Sequence, residues 1–173
     1  MTKNDFINAI SPGQEIVLTH TIEAPRAAVW RAWTTPMEIA RWWGPDGFTN
    51  SIKRMEAQEG GVWEFVMYGP DGMNYLNRII YDEIVPPDFT HSGGPGHIVY
   101  THSGLEAEGL DQFHVVVTFA GIDQQTTMLT MRMRFKSIEE CEKQKEFGAI
   151  EGGKQTLDRL ARFVEKKDID HHK

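Results

Sequence analysis

Apolar and polar residues repeat along this chain with two periods, and the switches between them mark the elements. Glu15–Ile22, EIVLTHTI, alternates as a strand, with Ile16, Leu18, His20 and Ile22 on one face and Glu15, Val17, Thr19 and Thr21 on the other. After Pro25, which suits a first helical position, Val29, Trp30 and Trp33 recur at helical spacing. TTPMEIARWWG restarts that pattern. Thr35 is the expected N-cap, Pro36 the first helical residue, Glu38 the partner in a capping box and Gly44 the left-handed cap, with Pro45 barring continuation. Period two then returns in TNSIKRME and in GGVWEFVM, which sets Trp63, Phe65 and Met67 against Glu64. It continues through Asn74–Val85, residues 97–103, FHVVVTFA and TTMLTMRMRF. FHVVVTFA puts Phe113, Val115, Val117 and Phe119 on one side. TTMLTMRMRF puts Leu129, Met131, Met133 and Phe135 on one side and Arg132 and Arg134 on the other.

Residues 137–166 read as helix, about 45 Å long if unbroken. Phe147, Ile150, Leu157, Leu160, Ala161 and Val164 form its apolar stripe. Gly148, Gly152 and Gly153 interrupt it, each at about 1 kcal/mol against alanine. Three so close predict a kink or a near approach to another surface. The order is a strand, two short helices, about six strands and a long helix, and only that helix can cover the dry face of the sheet. The two short helices would close one end of the trough.

Two tryptophans end the second short helix. Relative to Ile39, helical periodicity sets Trp42 about 60° to one side and Trp43 about 40° to the other, so both rings can flank one apolar face. Each hides of order 200 Å², more than so short a helix needs for attachment. The pattern predicts an interior lined by Trp42, Trp43, Trp63, Phe65, Tyr81, Tyr100, His102, Phe113, Met131 and Phe147. Core packing accounts for most of these. The polar tips of Tyr81, Tyr100 and His102 would orient a ligand in the apolar space left over. Residues 1–13 read as a loosely attached lead-in with Phe6, Ile7 and Ile10 as one helical turn, residues 14–167 as one domain and residues 168–173 as a frayed tail.

Composition narrows the function classes. The 173 residues carry a formal charge of -7 and no basic run, which argues against nucleic acid and against an anionic membrane surface. No apolar run approaches the ~18 residues of a membrane span, and the first residues lack the pattern of a secretory signal. The single cysteine, Cys141, sits among charges in EECEK and reads as an incidental helix thiol. A reducing, cytoplasmic setting is the expectation.

No phosphate loop, dinucleotide fingerprint, HExxH or CxxC is present, and neither cofactor nor metal is expected. His20, on the apolar face of its strand, could act as a general base or bond a ligand, against the plainer reading of a satisfied rim histidine. His102 and His114 lie on neighbouring strands as a metal pair without a third ligand; His171 and His172 lack support in a tail. Among carboxylates, Glu64, Asp82 and Glu83 stand out. Asp82 and Glu83 are expected on opposite faces, with Glu83 inward beside Tyr81 and Ile79 and in need of a partner there. Glu83 then reads as a tuned acid or as a salt-bridged sheet residue.

EAPRAAVWRAWTTPMEIARWWGPDGFT resembles the opening of the Hsp90-ATPase-activator-homologue-like proteins, of the START-like, Bet v 1-like superfamily that also holds polyketide cyclases and lipid carriers. Ala24-Pro25, Val29-Trp30, Ala32, Thr34, Pro36 and Trp42-Trp43-Gly44-Pro45 carry the likeness. NRIIYDEIVPP and FGAIEGGKQTLDRL look like the family's later strand and closing helix. The resemblance spans about residues 15 to 166. It implies an α+β helix-grip fold, a curved antiparallel sheet wrapped around a long C-terminal helix with a cavity between. Residues 88–96 look longer than the usual connection and read as a lid or a plain surface loop. Such a superfamily shares a cavity and not a reaction. Three readings follow: binding of a small hydrophobic or amphipathic molecule, a cyclase or hydrolase acting on an aromatic or polyketide-like substrate through an inward His or Glu, and an Hsp90-type co-chaperone. The last ranks lowest, since the chain has no room for the extra amino-terminal domain of the eukaryotic activators. A homodimer is possible.

Overall fold

A computed structural model describes residues 13–89, 94–103 and 112–171, with side chains of the last helix through residue 165. The lead-in with Phe6, Ile7 and Ile10 lies outside the described residues, as do residues 90–93 of the 88–96 loop. Among the described residues, seven strands form one antiparallel sheet in the order β1-β7-β6-β5-β4-β3-β2. They are β1 (Glu15–Ile22), β2 (Thr49–Met55), β3 (Val62–Tyr68), β4 (Asn74–Val85), β5 (Gly96–His102), β6 (Phe113–Asp123) and β7 (Thr126–Arg134). The strands from β2 to β7 follow one another as a meander, and β1 returns to pair with β7, so β1 and β2 are the edges. Helices α1 (Arg26–Thr34) and α2 (Pro36–Trp42) fill the connection between those two edges. The α+β helix-grip class is the observed one, a curved sheet against a C-terminal helix.

Register converts the alternation into rows on the inner face. Tyr81, Tyr100, Val115, Met133 and Ile16 are cross-strand partners in one row, and Trp63, Ile79, His102 and Phe113 in the next. Residues of the helices close over these rows. Leu157, Leu160, Ala161 and Val164 of the last helix are buried with them, as the stripe predicts.

The long helix is two. Ser137 caps α3 (Ile138–Glu146) by accepting from the Glu140 N–H at 3.1 Å. Gly148, at φ +87°, ends it in the left-handed region and frees α4 (Ala149–His171) to take its own direction. Helical backbone continues to His171. Gly153 is the close approach: a β-carbon there would collide with Leu18 Cδ1 of β1. Phe147 pays for the break at Gly148. It sits at the cap of α3, 60% exposed, and lines no interior.

The tryptophan pair behaves differently from the helical-wheel expectation. Trp42 is 0% exposed, and Trp43 only 9%. The helix stops at Trp42, and Trp43 has extended backbone (φ -65°, ψ 129°), so the two rings are not 100° apart on one cylinder. Both turn inward onto Trp33, at 5.0 and 5.5 Å between ring centroids, and Trp43 continues to Trp63 at 4.9 Å. Trp33 meets Phe119 at 6.1 Å and Trp63 stacks on Phe65 at 4.5 Å. Trp42 Nε1 donates to Ala32 O at 3.1 Å. The pair is the centre of an aromatic chain joining helices to sheet, mostly edge-to-face as ring quadrupoles favour. It is not the rim of an opening. Thr35 and Pro36 start α2 as expected, but the Thr35 side chain makes no cap bond and Glu38 instead pairs with Arg31 at 3.1 Å.

Candidate functional site

Polar groups on the inner face concentrate on β3, β4 and β5. Asn77, Ile79 and Tyr81 alternate inward along β4, flanked by Trp63 and Phe65 on β3 and by Tyr100 and His102 on β5. Trp63 and His102 are the two cross-strand neighbours of Ile79, so both lie diagonal to Tyr81, within reach for aromatic side chains. Asn77 Nδ2 donates to Tyr75 O at 3.0 Å, and Asn77 Oδ1 meets His102 Nε2 at 2.8 Å. The His102 ring stacks on Phe113 at 4.9 Å, and Phe113 meets Phe135 at 5.4 Å. Three atoms of this group, Trp63 Nε1, Tyr81 Oη and His102 Nδ1, are buried without a hydrogen-bond partner.

Burial sets the charge state. Desolvation pushes the His102 pKa down to about 4, with the Ser103 backbone pulling weakly the other way. It raises both tyrosine pKa values well above the usual phenol range, and Tyr81 adds to the effect on Tyr100 because two phenolates side by side would repel. At neutral pH the imidazole and both phenols are uncharged.

The sequence profile described as Activator of Hsp90 ATPase homolog 1-like protein matches residues 23–165. The chain belongs to this family. No curated protein sequence matches the chain. Among solved structures, a protein of Nitrosomonas europaea superposes with a TM-score of 0.76 at 19% identity, over 92% of this chain and 99% of its own. The solution structure of an Arthrobacter aurescens protein gives 0.76 at 21%, over 89% and 87%. The AHSA1 protein of Silicibacter pomeroyi gives 0.64 at 16%, over 88% and 99%. At such identities the likeness concerns the fold alone.

In this member of the activator-homologue family the two catalytic candidates stand away from the inner rows. His20 does share the face of Leu18 and Ile22, but at the edge strand its Nε2 meets Asp158 Oδ1 of α4 at 3.0 Å and its Nδ1 meets Thr21 O at 2.8 Å. Glu83 faces outward. The β4–β5 register slips between Tyr81 and Glu83, so a β-bulge at Asp82 shifts the alternation by one residue. Glu83 Oε1 then meets His97 Nε2 at 2.5 Å, while Asp82 Oδ2 accepts from Thr101 Oγ1 at 2.6 Å. Both carboxylates therefore serve the outer face, where opposite faces were expected. Glu64 lies 3.8 Å from Arg78 Nε. His102 opposes Phe113 within the sheet's inner row while His114 bonds Thr101 Oγ1 at 2.9 Å on the other face, so the two histidines cannot share a metal. Among the described residues no cluster of three or more His, Cys, Asp and Glu side chains gathers. Among them, too, no helix is long and apolar enough to cross a membrane.

Of the interior residues expected from sequence, Trp63, Phe65, Tyr81, Tyr100, His102 and Phe113 gather on the polar part of the inner face. Met131 belongs to a different row, opposite Val117 and Leu18. Asn77 was not anticipated. Its signal was an amide two residues before Ile79, in phase with the dry face. A groove of about 470 Å³ runs between β1 and α4 past Leu18, His20, Lys154 and Asp158. A shallower one of about 380 Å³ is lined by Arg41, Asp46, Arg159, Arg162 and Phe163.

Proposed function

We propose that this protein binds a small hydrophobic or amphipathic molecule between the inner face of β3–β5 and the helices. Trp63, Tyr81 and His102 hold its polar end. The observation that carries this reading is the set of unpartnered buried atoms, Trp63 Nε1, Tyr81 Oη and His102 Nδ1. Each such group costs about 1–3 kcal/mol when left without a partner. Three on adjacent strands are a standing cost that a bound molecule with polar atoms removes, while the aromatic rings around them receive its apolar body. Family membership agrees with a ligand-holding role. Trp63, Tyr81 and Tyr100 are almost fully covered, whereas Phe113 is half-buried. Entry therefore takes place from the Phe113 end and parts packed side chains.

A binding role fits better than catalysis. A base with a pKa of about 4 is poorly matched to proton abstraction at neutral pH. His20 and Glu83 are engaged by Asp158 and His97. The test is titration of the full chain with N-phenyl-1-naphthylamine, an uncharged dye that brightens in apolar surroundings. Saturable one-to-one brightening, with NMR shifts centred on Trp63, Tyr81 and His102, supports the reading. An unchanged dye signal, or shifts confined to the surface, refutes it.

A further inference from the structure

We infer that the molecule held at this site is uncharged and carries, at its polar end, one hydrogen-bond donor beside one acceptor, as a phenol or a hydroxy-ketone does. The inference rests on the binding reading above and specifies what it selects. Asn77 fixes the first half. Its Nδ2 is committed to Tyr75 O, so the atom facing His102 Nε2 is Oδ1. A carbonyl oxygen only accepts, so Nε2 carries the imidazole proton. A neutral imidazole has one N–H. In the neutral ring His102 Nδ1 is therefore a bare lone pair, buried and with no partner at hydrogen-bond distance, the Ser103 backbone favouring only the protonated ring, and it asks for a donor.

The other two atoms ask for the opposite. Trp63 Nε1 can only donate, and the Tyr81 hydroxyl can donate to an acceptor while rotating about its C–O bond. Because Trp63 and His102 flank Ile79 and Tyr81 stands next to it, donor and acceptor demands meet within a span of three strands. One hydroxyl group satisfies both: its proton goes to His102 Nδ1 and its oxygen accepts from Tyr81 or Trp63.

Charge is excluded by what surrounds them. Among the described residues, the inner-face side chains of β3–β5 in this region are Trp63, Phe65, Asn77, Ile79, Tyr81, Tyr100 and His102, with no Lys, Arg, Asp or Glu. A carboxylate, phosphate or ammonium buried here would leave water without a counter-charge. A carboxylate would also present no proton to His102 Nδ1.

Three probes of one shape separate the possibilities. 2-Naphthol donates and accepts, 2-methoxynaphthalene only accepts, and 2-naphthoate is an anion at neutral pH. Calorimetric or fluorescence titration of the full chain at pH 7 is expected to rank 2-naphthol about tenfold tighter than the methyl ether, with naphthoate weakest. In His102→Phe, which keeps a ring against Phe113, the preference for naphthol over its ether is expected to vanish. Equal binding of all three probes, or naphthoate first, overturns the inference and leaves the binding reading standing. Binding of none overturns both. Should His102→Phe fail to fold, long-range ¹H–¹⁵N spectra of the wild type decide. The inference requires an Nε2-protonated His102 whose Nδ1 resonance moves with 2-naphthol, and an Nδ1-protonated ring refutes it.

Discussion

Two adjacent glycines in α4 should respond oppositely to the same methyl group. Alanine in place of helical glycine gains about 1 kcal/mol from the backbone alone. At Gly152 the added carbon meets only Pro45 Cγ, at 3.5 Å, an ordinary contact. Gly152→Ala should therefore stabilise by about 1 kcal/mol, or about 2–4 °C in Tm for a chain of this size. At Gly153 the carbon collides with Leu18 Cδ1, in a core where Leu18 is buried and Met133 Cε waits at 3.9 Å. Forcing a methyl into packed surroundings costs about 1–3 kcal/mol. The helix gain offsets part of that, so Gly153→Ala should fall about 1–3 kcal/mol below Gly152→Ala by the same overpacking range. Removing the obstacle restores the gain: measured against Leu18→Ala, the double variant Leu18→Ala/Gly153→Ala should be more stable by about 1 kcal/mol. Chemical unfolding followed by far-UV circular dichroism reads all four differences. Equal effects at the two glycines, or a Gly153→Ala cost untouched by Leu18→Ala, would refute the close helix–strand approach.

Stability should fall with pH through His102. Its folded pKa of about 4 lies below the unfolded value near 6.5, so the unfolded chain takes up the proton first. The contribution is complete above pH 6.5 and is lost as pH drops toward 4, reaching about 3 kcal/mol relative to His102→Phe, which lacks this dependence. His114, also lowered chiefly by burial, titrates in the same direction in both proteins and cancels in that comparison. Trp42→Ala, at a fully buried position, should cost about 3–5 kcal/mol, whereas Phe147→Ala, exposed at the cap of α3, should stay within about 0.5 kcal/mol in the same unfolding assay. Cys141 is buried, and desolvation raises its thiol pKa. Iodoacetamide should label it orders of magnitude more slowly in the folded chain than in urea, as followed by mass spectrometry.

Strand faces were legible wherever alternation runs without a slip. The inward sets of β1, β6 and β7 follow directly from Ile16/Leu18/His20/Ile22, Phe113/Val115/Val117/Phe119 and Leu129/Met131/Met133. The glycines of the last helix were legible as punctuation, though only the fold could say that Gly148 breaks it and Gly153 permits an approach. Glu83 was not legible. A bulge depends on how β4 meets β5, and nothing within YDEIV marks Asp82 as the extra residue. Trp43 was misplaced because the periodicity was carried one residue beyond the last helical turn, and that residue's extended backbone turned its ring inward. The candidate site was half-legible: Tyr81, Tyr100 and His102 share a face by period two, but Asn77, and with it the tautomer of His102, emerges only from hydrogen bonds between strands.

The central claim, that the inner face keeps polar atoms unpaired for a ligand, is tested most directly by unfolding wild type and Tyr81→Phe with and without 2-naphthol. Removing an unpaired buried hydroxyl should make the unliganded protein more stable, by about 1–2 kcal/mol, while shrinking the stabilisation that the naphthol confers. A Tyr81→Phe protein that is less stable when empty, and that gains as much from the ligand as the wild type, would contradict the account.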